Sequence, residues 1–412
     1  MWNYKLMSER TGKVRTAFRS LREDGVSTLG RNAFNVLQNQ FGARLAELLA
    51  ARGNVIDDGE LRESVARRTF RYADEEVVEI GPNAAMRPLP DRLQSYLGQY
   101  RTAPRFAAEL REPTLHESSF VFDSTGRVVF NSIGSCRWLY ARRILAEGAP
   151  STYARALFGR PLSSQIPNAT ERVEKGFNLV RFGSYYHWLT ESLPALRALE
   201  RYDEATGTSI PVLVEPDPPD WMLDYLSLAG LEDRVVPLPA ESVTVGTLVT
   251  SPRQIRIREC FNPSTRDLEW TGQRFREMAG VDSCSSSERI FVSREDGNGR
   301  EIAERAALFE NLASLGFEKH RLTDYSVPEQ IRLFADAECI VGAHGAGLTN
   351  ALYTDHTRLF EIVPDSWYWH DFYCLCEQLG FEYDYYRAPQ GAANSLRIDV
   401  ETVTERVESL LD

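Results

Sequence analysis

Reactive side chains stand at usable spacings in four places along this chain. In Tyr185-Tyr186-His187-Trp188-Leu189-Thr190-Glu191 an imidazole and a carboxylate are four residues apart, which on a helix puts them on one face. Such a pair can take a proton from a hydroxyl, one group orienting the other, although the spacing equally describes an ordinary pair on a helix surface. Arg294 and Arg300 bracket Glu-Asp-Gly-Asn-Gly directly after the apolar run Arg289 to Ser293. Their guanidinium forks match phosphate oxygens, so a diphosphate is their natural occupant; the alternative is an ion pair with Glu295 or Glu304. Ile340 to Asn350 reads IVGAHGAGLTN: a buried strand ending at Gly342, a turn at His344-Gly345-Ala346-Gly347, then a helix from Leu348 to Tyr353. Small residues let phosphates approach the backbone, and a helix start offers free N–H groups and a positive dipole end. Glycines serving only tight packing give the same pattern. His344 would bond a phosphate or steady a leaving group, or else satisfy backbone groups. Glu361, ending the run Leu359 to Val363, would accept from ribose hydroxyls or cap its strand.

These groups need strands and helices in alternation to hold them. The periodicity predicts strands at Phe177–Arg181, Ile210–Val214, Val235–Val236 and Val243–Thr250, with helices at His187–Tyr202 and Trp221–Ala229. Pro252, Pro263 and Gly272 then interrupt the pattern. It restarts with strands at Arg289–Ser293, Phe317–Leu322, Ile340–Val341 and Arg358–Val363. The helices of this second series are Glu301–Leu315, Pro328–Ala335, Phe372–Leu379 and Val400–Leu411. Two βα series predict an α/β chain of two doubly wound, Rossmann-like domains facing a cleft, with ligand at the carboxyl ends of the strands. The boundaries expected are a basic arm and amphipathic helix over 1–64 and a β-containing lead-in over 65–175. An acceptor-side domain over 176–260, a linker over 261–288 and a nucleotide-sugar domain over 289–412 follow. Within the lead-in, Arg68 to Val78 reads as strand, and Asp123-Ser-Thr-Gly126 separates two short runs of a hairpin between Phe120 and Asn131.

Composition narrows the partners. The chain has 412 residues and a net charge of −12, which disfavours wholesale nucleic-acid binding. Only Lys5, Lys13, Lys175 and Lys319 contribute lysines to its 47 basic residues. Residues 1–22 nevertheless carry six basic side chains against Glu9, interleaved with Trp2, Tyr4, Leu6 and Phe18. That pattern suits contact with an anionic membrane surface, or a solvated arm. The amphipathic helix over 31–51 would dock on the body or form a homodimer contact. The six cysteines show no paired framework, so a reducing, cytoplasmic setting is expected, at the inner membrane face if the arm binds. Cys374-Leu-Cys376 beside His370 is half of a zinc site at most, and a buried helix face otherwise. No apolar run is long enough to span a bilayer.

Taken in order, YYHW-(x)2-E-x-LP, VSR with a second arginine and a glutamate, PEQ-(x)3-F, VGAHGAGLTN and EIVP resemble glycosyltransferase family 61 over residues 176 to 364. That family includes capsular-polysaccharide enzymes and eukaryotic enzymes that add xylose, arabinose or N-acetylglucosamine. The resemblance implies a GT-B fold and inverting transfer from a nucleotide sugar, expected to be a UDP-sugar. The acceptor would be a glycan or a lipid-linked oligosaccharide. It implies donor contacts from Arg294, Arg300, Glu304, His344, Gly345, Ala346, Gly347, Asn350 and Glu361. His187 and Glu191 would be catalytic, with Tyr185, Tyr186 and Trp188 on the acceptor side. The family often has Asn-Glu after its second arginine, where this chain has Ala303-Glu304. No Asp-x-Asp occurs, so neither cofactor nor metal is expected and the arginines must neutralise the diphosphate. Two rivals remain: a nucleotide-sugar-binding protein without turnover, and an α/β-hydrolase. The latter needs a Gly-x-Ser-x-Gly elbow that the chain lacks.

Overall fold

The structure is a computed structural model, which describes residues 55–82, 91–94, 96–116, 120–129, 169–180, 183–252, 256–257, 260–261, 264–284, 287–295, 299–365, 370–391 and 394–412. The basic arm over 1–22 and the helix expected over 31–51 lie outside the described residues. Contacts divide the chain into two units, Met1–Ile56 with Thr125–Val128 and Cys136–Ile166, and Asp57–Ser124 with Val129–Ser135 and Pro167–Asp412. In the first unit, Val55–Ile56 is a short strand. The second holds everything that follows.

Its first sheet contains β1 (Arg68–Ala73), β2 (Arg105–Arg111), β3 (Thr114–His116), β4 (Phe120–Phe122), β5 (Glu171–Asn178), β6 (Val212–Val214), β7 (Val235–Pro237) and β8 (Ser242–Thr250). β5, β6 and β7 are parallel neighbours, and β8 lies parallel on the other side of β5. Counted along the chain, these four stand 3-2-1-4, the order of the first strands of a Rossmann sheet. The sheet is mixed, however. β2 and β3 pair antiparallel with β8, β1 with β2, and β4 with β3. The lead-in strands thus cover an edge of β8 that would otherwise be left unpaired. Helices α1 (Leu196–Thr206) and α2 (Asp220–Leu228) follow β5 and β6.

The stretch expected to be a linker is largely helix α3 (Thr265–Met278). Ser264 caps it, its hydroxyl accepting from the Asp267 amide at 3.2 Å. Gly272 suggests a break in the sequence, yet a Cβ there would stand 2.2 Å from the Leu352 carbonyl oxygen. It marks a close approach between helix and backbone rather than an end.

The second sheet is β9 (Glu288–Ser293), β10 (Phe317–Arg321), β11 (Ala337–Ala343), β12 (Arg358–Pro364) and β13 (Glu382–Ala388), and α4 (Arg305–Ser314), α5 (Val327–Ala335), α6 (Asp371–Leu379) and α7 (Val400–Leu411) complete it. All five strands are parallel, in the order β10-β9-β11-β12-β13. That is the 2-1-3-4-5 order of a doubly wound sheet. Alternate residues feed two cores, as a sheet buried on both faces requires. Ile290, Val292 and Ile340 join the cluster containing Ile331 and Phe372, while Phe291 and Val341 join Leu308, Leu312, Val403 and Val407. The first of these clusters also contains Phe177, Leu196 and Phe275. Residues of the stretches 176–260 and 289–412 thus contribute to one buried cluster within the second unit. Among the described residues, no helix is long and apolar enough to cross a membrane.

Candidate functional site

In a 2-1-3-4-5 sheet the chain leaves strands 1 and 3 in opposite directions, which opens a crevice at their carboxyl ends. Here those strands are β9 and β11. Arg294 follows β9, His344 and Gly345 follow β11, and Glu361 sits on β12 opposite Gly342. The Arg294 guanidinium lies directly over Gly345, where a Cβ would fall 1.9 Å from Nη1. The φ of Gly345 is 179°, so the glycine supplies room and not an unusual conformation. Gly347 likewise makes room for Leu322, whose Cδ1 would be 2.6 Å from an added Cβ. The helix predicted from Leu348 is an eight-residue 3₁₀ segment, Ala346–Tyr353, its first turn closed by the Leu348 amide donating to the Gly345 carbonyl at 3.0 Å.

Arg300 joins from a loop pinned by its own N–H donating to the Asn394 carbonyl at 2.9 Å. Its φ of 61° is left-handed, a conformation that side-chain-bearing residues adopt rarely and that clusters at functional sites. Desolvation, then the charge of Arg294, push its guanidinium below the usual arginine range, and the Glu361 carboxylate acts the other way. Two like charges are thus held together where both are half-buried. An anion placed between them would relieve that repulsion.

Glu361 is fully buried. One carboxylate oxygen meets His344 Nδ1, and the other accepts from the Tyr383 hydroxyl at 2.5 Å. The carboxylate expected to greet a ribose is therefore sealed behind His344, and orienting the imidazole is the work its position allows. Sequence reasoning missed Tyr383 because β13 itself went unrecognised.

On the first sheet, β5 leads into a coil of changing pitch. Pro194 has no N–H to give and its ring crowds the preceding turn. The chain accommodates it with α-helix at Tyr185–His187, π-helix at Trp188–Ser192 and 3₁₀ at Leu193–Ala195 before α1 begins. One uninterrupted helix was expected; π turns of this kind are frequent at functional sites. His187 Nδ1 is 2.5 Å from Glu191 Oε1. Their side chains are 20% and 4% exposed, so this is no solvated surface pair but a buried carboxylate holding a partly exposed imidazole. Tyr186 packs edge-on against His187 at 5.2 Å and against Phe372 at 5.9 Å, and Phe372 packs against His344 at 5.5 Å. Two aromatic rings separate the two imidazole–carboxylate pairs.

Several residues expected at the site make contacts within the protein. Trp188 is fully buried with its ring 5.9 Å from that of Trp221, so it offers no face to an acceptor. The Tyr185 hydroxyl donates to Asn350 Oδ1 at 2.8 Å and shares a 2.9 Å bond with Tyr225, which in turn bonds Tyr353 at 2.7 Å. Asn350 donates to Gln330 Oε1 at 2.9 Å, and Gln330 donates to the Leu322 and Tyr325 carbonyls. Burial pushes the Tyr185 phenol up to about 12, which keeps it neutral in this network. Tyr185, Gln330 and Asn350, from three separate motifs, thus form a joint between the sheets. Glu304 accepts from the Ile398 amide at 2.9 Å and fastens the C-terminal segment. Cys374 and Cys376 are buried on α6, and His370 stacks on Tyr96 at 4.0 Å. Among the described residues no three His, Cys, Asp or Glu side chains converge on a metal position.

Residues 185–359 match the family described as Glycosyltransferase 61. A beta-1,2-xylosyltransferase of Arabidopsis thaliana is 33% identical over 90 residues, which are 22% of this chain and 17% of the relative's length. The matched region contains both His187–Glu191 and the arginines with the His344–Gly347 turn, and it stops short of Glu361 and Tyr383. It is over residues 185–359 that the chain is similar to the glycosyltransferase 61 family.

Proposed function

We propose that this protein is an inverting glycosyltransferase that moves a sugar from a nucleoside diphosphate donor, taken to be a UDP-sugar, to a hydroxyl of a glycan or lipid-linked glycan. In the GT-B manner the first sheet would present the acceptor and the second would hold the donor. The observation that carries this reading is the pair of half-buried arginines at the switch point, one lying on a glycine of the neighbouring turn. Arg294 and Arg300 grip the diphosphate, and the backbone of the His344–Gly347 turn approaches it where side chains are small. His187 Nδ1 is engaged by Glu191, so Nε2 is the atom that takes the acceptor proton. The acceptor oxygen attacks the anomeric carbon, and the bond to the diphosphate breaks with its electron pair going to the leaving oxygen.

The test is release of nucleoside diphosphate from a panel of UDP- and GDP-sugars, UDP-xylose among them, with oligosaccharide and lipid-linked acceptors. Acceptor-dependent release with inversion at the anomeric carbon is expected. Retention, or donor binding without release under every acceptor, contradicts the proposal. Because the guanidinium groups meet the leaving charge, EDTA is expected to change the rate by less than about twofold. Complete loss on chelation, restored by Mg²⁺ or Mn²⁺, would refute the metal-free step.

Gly345→Ala gives a sharper check. The obstacle to a methyl group is the mobile end of Arg294, so the fold should persist with the guanidinium pushed aside. Affinity for UDP is expected to fall about tenfold, the scale of one good contact, with the melting temperature unchanged. Unaltered UDP affinity in calorimetry would mean that Arg294 does not bind the ligand from that position.

A further inference from the structure

We infer that Tyr185, held by Asn350, is a positioning residue that fixes the base His187 relative to the His344–Gly347 turn. This rests on the glycosyltransferase reading above. Around His187 the backbone is not one regular helix: it passes from α to π to 3₁₀ pitch between Tyr185 and Ala195. A side chain on such a coil takes its placement from the contacts around it. Three act here. Glu191 engages Nδ1, Tyr186 packs edge-on against the ring, and Tyr185 ties the start of the coil to the second sheet.

The direction of each hydrogen bond in that tie follows from its far end. Gln330 Nε2 lies 3.0 and 3.1 Å from the Leu322 and Tyr325 carbonyls, which only accept. The amide nitrogen must face them, so Oε1 faces Asn350 and takes its N–H at 2.9 Å. Asn350 then turns Oδ1 to Tyr185, which gives its single proton to it at 2.8 Å. The Tyr185 oxygen is left to accept from Tyr225, and Tyr225 from Tyr353. One chain of donation thus runs from Tyr353 to the loop after β10. Burial holds all three phenols above their usual range, so none ionises at neutral pH. Asn350 is fully buried on the 3₁₀ segment that follows Gly345, and the Leu322 side chain fills the space over Gly347. A shift of the turn moves Asn350, and the bond to Tyr185 carries that shift to the coil bearing His187.

The experiment reads kcat at saturating donor, UDP affinity by calorimetry, and melting temperature, on the full chain. The variants are Tyr185→Phe, Tyr225→Phe, and Tyr185→Phe combined with His187→Ala. Each phenol variant deletes one hydroxyl of the same buried chain, so their melting temperatures should fall alike. Only Tyr185→Phe severs the link to Asn350. Its kcat should drop about ten- to a hundredfold, the scale of a catalytic geometry displaced by about 1 Å. Its UDP affinity should stay within about twofold, because Gln330 still holds Asn350. Tyr225→Phe should keep kcat within about twofold. In the His187→Ala background the loss from Tyr185→Phe should vanish, since a residue acting through the base has nothing left to position. Should Tyr185→Phe not fold, Asn350→Ala cuts the same bond from the other side. Most of its kcat loss at saturating donor should likewise disappear without His187. Wild-type kcat in Tyr185→Phe, equal kcat losses in the two phenol variants, or a loss that persists in full without His187 would each overturn the inference. A wild-type chain that releases no nucleoside diphosphate from any donor would instead bring down the parent reading, and the two failures are told apart.

Discussion

Replacing His187 with alanine is expected to lower kcat by about 10²–10⁴, the usual contribution of a general base, while UDP affinity changes by less than about twofold. The argument is positional. His187 stands on the coil that follows β5 in the first sheet, whereas the proposed diphosphate contacts follow β9 and β11 in the second. The imidazole thus acts on the acceptor and should leave ground-state donor binding alone. The variant also strands Glu191, whose side chain is 4% exposed, so some stability should be lost with it. Glu191→Gln avoids that loss, since it keeps shape and removes only charge. It should lower kcat less than the alanine variant does, because the imidazole remains in place but less well oriented. Donor affinity collapsing in His187→Ala, with kcat retained at saturation, would show that the two lobes have been assigned the wrong way round.

The second large effect concerns the arginine pair. Arg294→Ala and Arg300→Ala should each weaken UDP binding by about 1.5–3 kcal/mol, the range for charged hydrogen bonds, roughly ten- to a hundredfold. Stability should move the other way. The two guanidinium groups are half-buried and disfavour one another, so removing either relieves that repulsion. The melting temperature is expected to stay level or rise as binding is lost, the trade found where function holds residues against their own stability. Arg294→Lys is the informative intermediate. It restores charge without the planar fork and should recover only part of the affinity. Parallel loss of melting temperature with intact UDP binding would make both arginines structural.

Much of the second sheet could be read along the chain because β9, β11 and β12 each carry a short buried apolar run, as parallel strands covered on both faces do. The carboxyl-end rule then placed Arg294 and the His344 turn on one rim, and the structure brings them into contact. β13 escaped because Glu382-Tyr-Asp-Tyr-Tyr-Arg-Ala388 hides its buried positions among charges, and Tyr383 was lost with it. Helix α3 escaped because Gly272 reads as a breaker until Leu352 is seen packed against it. Motif membership does not by itself say which partners a side chain meets in the fold. Tyr185, Gln330 and Asn350 have the polar character of ligand contacts, but their hydrogen bonds close on one another. Glu361 has the strand-end placement of a ribose acceptor, yet both oxygens turn inward. A spacing shows that groups share a face; it does not show whether that face meets solvent or another sheet.

The central claim is that a donor's diphosphate lies at the switch point between β9 and β11, and a crystal structure with UDP bound tests it most directly. The account predicts phosphate oxygens within hydrogen-bonding distance of both Arg294 and Arg300, against the backbone at Gly345. UDP bound anywhere else, with those two guanidinium groups left untouched, would contradict it.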